Sequence, residues 1–137
     1  MAKILLTAGG TLFLLMGLGH FVLTLRDVWK PTAFTPTEDS VRVAMQDAQL
    51  RFSRRVNLWE SWLGFNLSHS MGPILFGSAL LYAAQVQLNA FLESIFLQAA
   101  AIVILVVYLA IAIRFWFRGP VLGISIVLLC VLGAVLL

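Results

Sequence analysis

Four long apolar runs dominate the pattern of hydrophobic and polar positions. Ile4 to Leu25 carries no charge, and Ile95 to Ile113 is rich in Ala, Ile, Val and Leu. Pro120 to Leu137 is shorter, uncharged, and opens with a proline suited to a first helical turn. Val56 to Ala84 is also apolar on average, yet its stretch NLWESWLGFNLSHSMGP interleaves Trp, Leu and Phe with Asn57, Glu60, Ser61, Asn66, Ser68, His69 and Ser70. A bilayer core of about 30 Å takes roughly 20 mostly apolar helical residues. The pattern predicts four membrane-crossing helices over about 4–25, 56–84, 95–113 and 120–137, an all-α integral membrane four-helix bundle in one domain.

Between the first two runs the period changes. Residues 26–40, RDVWKPTAFTPTEDS, open as a loop. Thr35-Pro36-Thr37-Glu38 then matches a capping box with proline at the first helical position. Beyond it Val41, Ala44, Met45, Ala48, Phe52 and Val56 fall on one helical stripe. An amphipathic helix over about 36–55, running into the second crossing, is expected. It either lies on the membrane surface with its arginines near anionic head groups or packs against a partner.

Composition agrees. Of 137 residues 61% are hydrophobic and 11% charged, with a mean hydropathy of +1.00; soluble domains are about half apolar and a quarter charged. A core of this size cannot hide the excess. Lys3 followed by a long apolar run, with no small-x-small closure, is read as a retained crossing rather than a signal peptide. The single cysteine, Cys130, supports neither a disulfide framework nor a cysteine metal site.

Charge position sets an expected orientation. Arg26, Lys30, Arg42, Arg51, Arg54 and Arg55 lie between runs one and two, and Arg114 and Arg118 between three and four. The other side has only Lys3, and its loop QVQLNAFLES has no basic residue. Excess Lys and Arg marks the cytoplasmic side, which places both chain ends outside. All four tryptophans lie toward that basic side. Trp29, Arg51, Arg54, Arg55, Trp59, Trp62, Arg114 and Trp116 are therefore expected to form a cytoplasmic interface.

Candidate chemistry sits in the first two crossings. On a helical wheel Asn57, Glu60, Ser61, Gly64, Ser68 and Gly72 share one face of the second run; Trp62, Asn66, His69 and Pro73 share another, with Ser70 at its margin. A helix polar on two sides should be well enclosed. Gly64, Ser68 and Gly72 resemble the small-residue seams that let helices approach closely, and Gly9, Gly10, Gly17 and Gly19 offer a counterpart in the first run. Counted from Leu25, His20 lies roughly 7 to 8 Å deep, level with Glu60 counted from Val56. A His20–Glu60 pair, flanked by Asn57 and Ser61, is expected to reduce the cost of both groups in lipid. His69 lies roughly 20 Å from Val56, near mid-membrane, where Pro73 removes the N–H that would reach its carbonyl.

Two readings of this second cluster stand side by side. His20, Glu60, Asn66, His69 and Ser70 line a pocket for a lipid, quinone or isoprenoid head group, with a tetrapyrrole bound axially at His69 as a further option. Alternatively the same groups hydrogen-bond to neighbouring helices and hold the bundle. The estimated difference in depth between His20 and His69 argues against a shared haem. Three close zinc ligands are not found, and no phosphate-cradling glycine loop or dinucleotide fingerprint occurs. A basic patch interleaved with aromatics, as nucleic-acid binding would want, is also missing. Glu60 alone is too little for an ion path.

TLFLLMGLGH (residues 11–20) and GFNLSHSMGPILFG (residues 64–77) resemble segments of small four-span bacterial membrane proteins, and the layout is similar in outline to DoxX-type proteins. The resemblance implies a bacterial inner-membrane bundle and transfers no catalytic residue. The leading expectation is a small, non-enzymatic accessory or assembly subunit, surrounded by membrane lipids, in a larger complex or a homo-oligomer. The alternative is a protein that binds a hydrophobic ligand in the polar pocket, with or without transforming it.

Overall fold

A computed structural model describes every residue from Met1 to Leu137. The chain is 81% helical, so most backbone polar groups are satisfied within their own segment, the condition lipid imposes. The order is α1 (Ala2–Trp29), α2 (Asp39–Asp47), β1 (Gln49–Leu50), β2 (Ser53–Asn57), α3 (Leu58–Gln85), α4 (Leu88–Glu93), α5 (Ile95–Phe115) and α6 (Arg118–Leu136). The protein is all-α apart from the β1–β2 hairpin. Helices α1, α5 and α6 are long and apolar enough to cross a membrane. Helix α3 equals α1 in length, 28 residues or about 42 Å, but carries Asn66, Ser68, His69, Ser70 and Pro73 in its middle.

The chain divides into two units. The first holds Met1–Met16 and Pro73–Leu137: the front of α1, the rear of α3, and α4 to α6. Its core is Leu6, Phe13, Leu80, Phe91, Leu105, Ile124, Val127 and Val131 with Ala84, Ala101, Ala112 and Ala134. Phe13, fully buried, meets Phe76 and Tyr108 edge-on at centroid distances of 5.8 and 5.6 Å. In lipid, apolar burial by itself drives little association, so close packing and hydrogen bonds must hold such a unit together. Glycine supplies the closest approach. A Cβ built on Gly77 would lie 2.5 Å from Leu14 N and 2.8 Å from Gly10 O. Polar clamps complete the unit: Gln85 Nε2 donates to Thr7 Oγ1 at 2.8 Å, and Gln98 Nε2 donates to the carbonyls of Phe91 and Leu92 at the end of α4.

The second unit, Gly17–Gly72, holds the rear of α1, the loop, α2, the hairpin and the front of α3. Three expectations are corrected here. The amphipathic helix over 36–55 is cut to nine residues, α2, none of them buried. Most of its apolar stripe is uncovered (Val41, Ala44, Ala48 and Phe52 are exposed, and only Met45 is half-buried), and a short helix with so little packing is marginal. The Thr35–Glu38 capping box does not form, because the chain from Thr32 to Thr35 is wrapped around Asp27 and α2 starts only after Glu38. Nor does α2 run into α3. Asn57 stands as N-cap instead: its side-chain oxygen accepts from Glu60 N at 2.8 Å, while Glu60 Oε2 accepts from Asn57 N at 3.3 Å. That reciprocal pair is itself a capping box, and it requires a break before Leu58.

The expected seam is displaced too. Gly64 and Gly19 have nothing within 4 Å of an added Cβ, and Gly64 and Ser68 are exposed. Close helix contact comes from Gly10 and Gly77 instead.

Candidate functional site

The polar residues of α3 are tolerated because most spend their hydrogen-bonding groups on their own helix. Ser61 Oγ donates to Asn57 O, Ser68 Oγ to Phe65 O, Ser70 Oγ to Leu67 O and Asn66 Nδ2 to Trp62 O, all at 2.6 to 3.0 Å. On α1, Thr24 Oγ1 returns to His20 O at 2.8 Å. Such i−3 and i−4 returns satisfy a hydroxyl without a partner helix. No buried side-chain nitrogen or oxygen lacks a partner.

One amide oxygen is left over for another helix. Asn66, 1% exposed, anchors its NH2 group on Trp62 O and so aims Oδ1 at His20 Nε2, 3.2 Å away. Because Oδ1 only accepts, the His20 Nε2 position carries the proton, an assignment made from the network. His69, one turn along α3 from Asn66, meets the His20 ring edge-on with centroids 5.6 Å apart and stacks on Phe65 at 5.7 Å. Phe34 covers the His20 ring at 4.4 Å. Two half-buried imidazoles and a buried amide thus converge under aromatic cover.

The cover is held from two directions. Asp27, fully buried, accepts from the backbone N–H groups of Thr32, Ala33 and Phe34 at 2.8, 2.9 and 2.6 Å. It also accepts from the hydroxyls of Thr32 and Thr35. The Trp62 indole donates to Phe34 O at 2.8 Å. Phe34, Thr35, Pro36, Met45 and Trp62 also line a largely apolar depression of about 400 Å³, so Phe34 borders both that depression and the His20 ring.

The structure brings together only part of the expected set. His20, Asn66 and His69 meet. Glu60 does not pair with His20, since its carboxylate is used in the α3 cap and is exposed. Ser70 is buried but turned to Leu67 O. The depth estimate erred because it counted from the edges of apolar runs. Helix α1 continues to Trp29 and α3 begins at Leu58, so His20 and His69 lie nine and eleven residues from their helix ends, about 14 and 17 Å. That near equality overturns the separation inferred between the two histidines.

Of the expected interface residues, Trp29 is 74% exposed, whereas Trp59 is 6% exposed and Trp62 is a strut for the loop. Arg114 lies over the Phe115 ring at 5.1 Å. Thr24 and Asp27 were missed, although His20, Thr24 and Asp27 fall at i, i+4 and i+7 in an apolar helix, a readable polar stripe. Compared with protein-family models, curated proteins and solved structures, the chain matches none of them.

Proposed function

We propose that the chain is an integral membrane protein of four crossing helices, α1, α3, α5 and α6, that binds the polar head of a hydrophobic ligand at His20, Asn66 and His69. The observation that carries this reading is the meeting of two imidazoles and a buried amide inside otherwise apolar helices, under the Phe34 cover. Polar groups at such depth are costly and serve function by default. Helix α3 (58–85) can cross because its serine hydroxyls and the Asn66 NH2 group bond within the segment and the Asn66 oxygen bonds to His20. In this reading the loop, α2 and the hairpin are cytoplasmic and both ends outside, which the excess of Lys and Arg in those segments supports; the bacterial inner membrane is what the resemblance of residues 11–20 and 64–77 implies.

The chemistry favours a hydrogen-bonded head group, such as the carbonyl or hydroxyl of a quinone or lipid. His20 Nε2 carries a proton toward Asn66 and does not present a lone pair there. His69, stacked on Phe65 and edge-on to His20, supplies a second donor or acceptor beside it. Neither group is assigned a catalytic step.

The test is purification of the wild type and of His69→Ala in mild detergent, followed by lipid extraction, mass spectrometry and an absorption spectrum. A stoichiometric ligand in the wild type, reduced at least tenfold in His69→Ala, is expected. Equal retention by a folded His69→Ala protein refutes the site.

A second reading, an accessory or self-associating subunit, is favoured by a different observation. Gly64 and Ser68 form an open small-residue strip on α3, the kind of surface a helix of another chain packs against. Co-purifying subunits, or a detergent-corrected mass above one chain that falls in Gly64→Leu, would support it.

A further inference from the structure

We propose that the hairpin Gln49–Asn57 is a docking surface for the anionic phospholipids of the membrane, with Phe52 entering the head-group layer and Arg51, Arg54 and Arg55 pairing with lipid phosphates. Between Gln49 and Asn57 the chain has three arginines and no acidic residue. The single ion pair in the structure joins Arg42 to Asp39 on α2, so none of the three hairpin arginines is neutralised by a carboxylate of the chain. All three are exposed, and Phe52, in the connection between the strands, is 88% exposed. An aromatic ring this open beside uncompensated cations is poorly placed for water alone.

Position selects the occupant. Strand β2 ends at Asn57, which is also the N-cap of α3, so no linker separates the hairpin from that helix. If α3 crosses the bilayer, as the proposed function holds, the hairpin is confined to the surface where the helix enters. Two strands of two and five residues are marginal in water without further support. An anionic surface offers support of the right kind: phosphates for the guanidinium groups and an interfacial layer for the ring. An acidic soluble protein would match the charge but not the fixed position.

Each basic residue near such a surface is worth about fivefold in lipid preference at modest ionic strength. Three together give on the order of a hundredfold, and the effect weakens as salt screens it.

The experiment uses the full chain with Cys130→Ala and Phe52→Cys, labelled with an environment-sensitive fluorophore and reconstituted in nanodiscs. Discs of phosphatidylcholine alone are compared with discs containing phosphatidylglycerol. A blue-shifted probe, quenched by nitroxide head groups, is expected only with the anionic lipid. It should revert in the triple variant Arg51→Gln, Arg54→Gln, Arg55→Gln, which should also lose its preferential retention of phosphatidylglycerol in native mass spectrometry. A probe equally exposed to water in both discs overturns the proposal. So does protection that needs an added acidic protein rather than anionic lipid. Topology is read separately, with membrane-impermeant maleimide on Phe52→Cys and Val86→Cys in sealed vesicles. Labelling of both positions from one side means that α3 does not cross, a failure of the underlying reading rather than of lipid docking.

Discussion

Adding one methyl group to α3 should have opposite consequences at two glycines. At Gly77 a Cβ would meet Leu14 N at 2.5 Å, Gly10 O at 2.8 Å and Leu14 Cα at 2.9 Å. All three atoms are backbone, so no side chain can swing aside. Restoring ordinary contact requires α1 and α3 to part locally by about 1 Å, which forfeits a quarter to a half of the dispersion energy across a tightly packed contact. Phe13 and Leu6 beside that contact are fully buried and would loosen with it. Overpacking of this kind costs about 1–3 kcal/mol. At Gly64 nothing lies within 4 Å of the same methyl, and replacing a helical glycine by alanine gains about 0.8–1 kcal/mol. Gly77→Ala should therefore fall below Gly64→Ala by about 2–4 kcal/mol when reversible unfolding of the monomer is followed by circular dichroism in detergent. Equal midpoints for the two variants would refute the Gly10–Gly77 contact as the close approach of these helices.

Other outcomes follow from the polar network. Asp27→Asn keeps the shape of the side chain but turns an NH2 group toward backbone donors, so it should cost about 1–3 kcal/mol. Amide exchange at Thr32–Phe34 should accelerate; unchanged protection would show that the loop does not depend on the carboxylate. A double-mutant cycle on His20→Ala and Asn66→Ala should show a coupling of about 0.5–3 kcal/mol, as contacting residues do. The cycle on His20→Ala and Glu60→Ala should be additive within about 0.5 kcal/mol. Substantial coupling in the second cycle would restore the pairing with Glu60 that the structure replaces by an N-terminal cap.

Local composition determined much of the architecture. Long uncharged runs become α1, α5 and α6 because a helix is the cheapest way to satisfy a backbone within an apolar segment, and this needs no information about neighbours. The polar character of α3 was equally legible, as was the selection of His20, Asn66 and His69 as polar candidates within apolar runs. Asn57-x-x-Glu60 was readable in principle as a capping box, but the apolar run that surrounds it hid the break. What only the tertiary structure decided was which polar groups meet. Helical spacing assigns a residue to a face, yet it leaves open the axial register of one helix against another. Two helix ends misplaced by four and two residues shift the register by six, nearly two turns, pairing His20 with Glu60 instead of Asn66. The choice among glycines is of the same kind. Gly64 and Gly77 look alike in the chain, and only the close passage of the Gly10–Leu14 backbone makes a side chain intolerable at Gly77. The hairpin is likewise a tertiary outcome, for a helical stripe with little to cover it gives way where Asn57 starts the next helix.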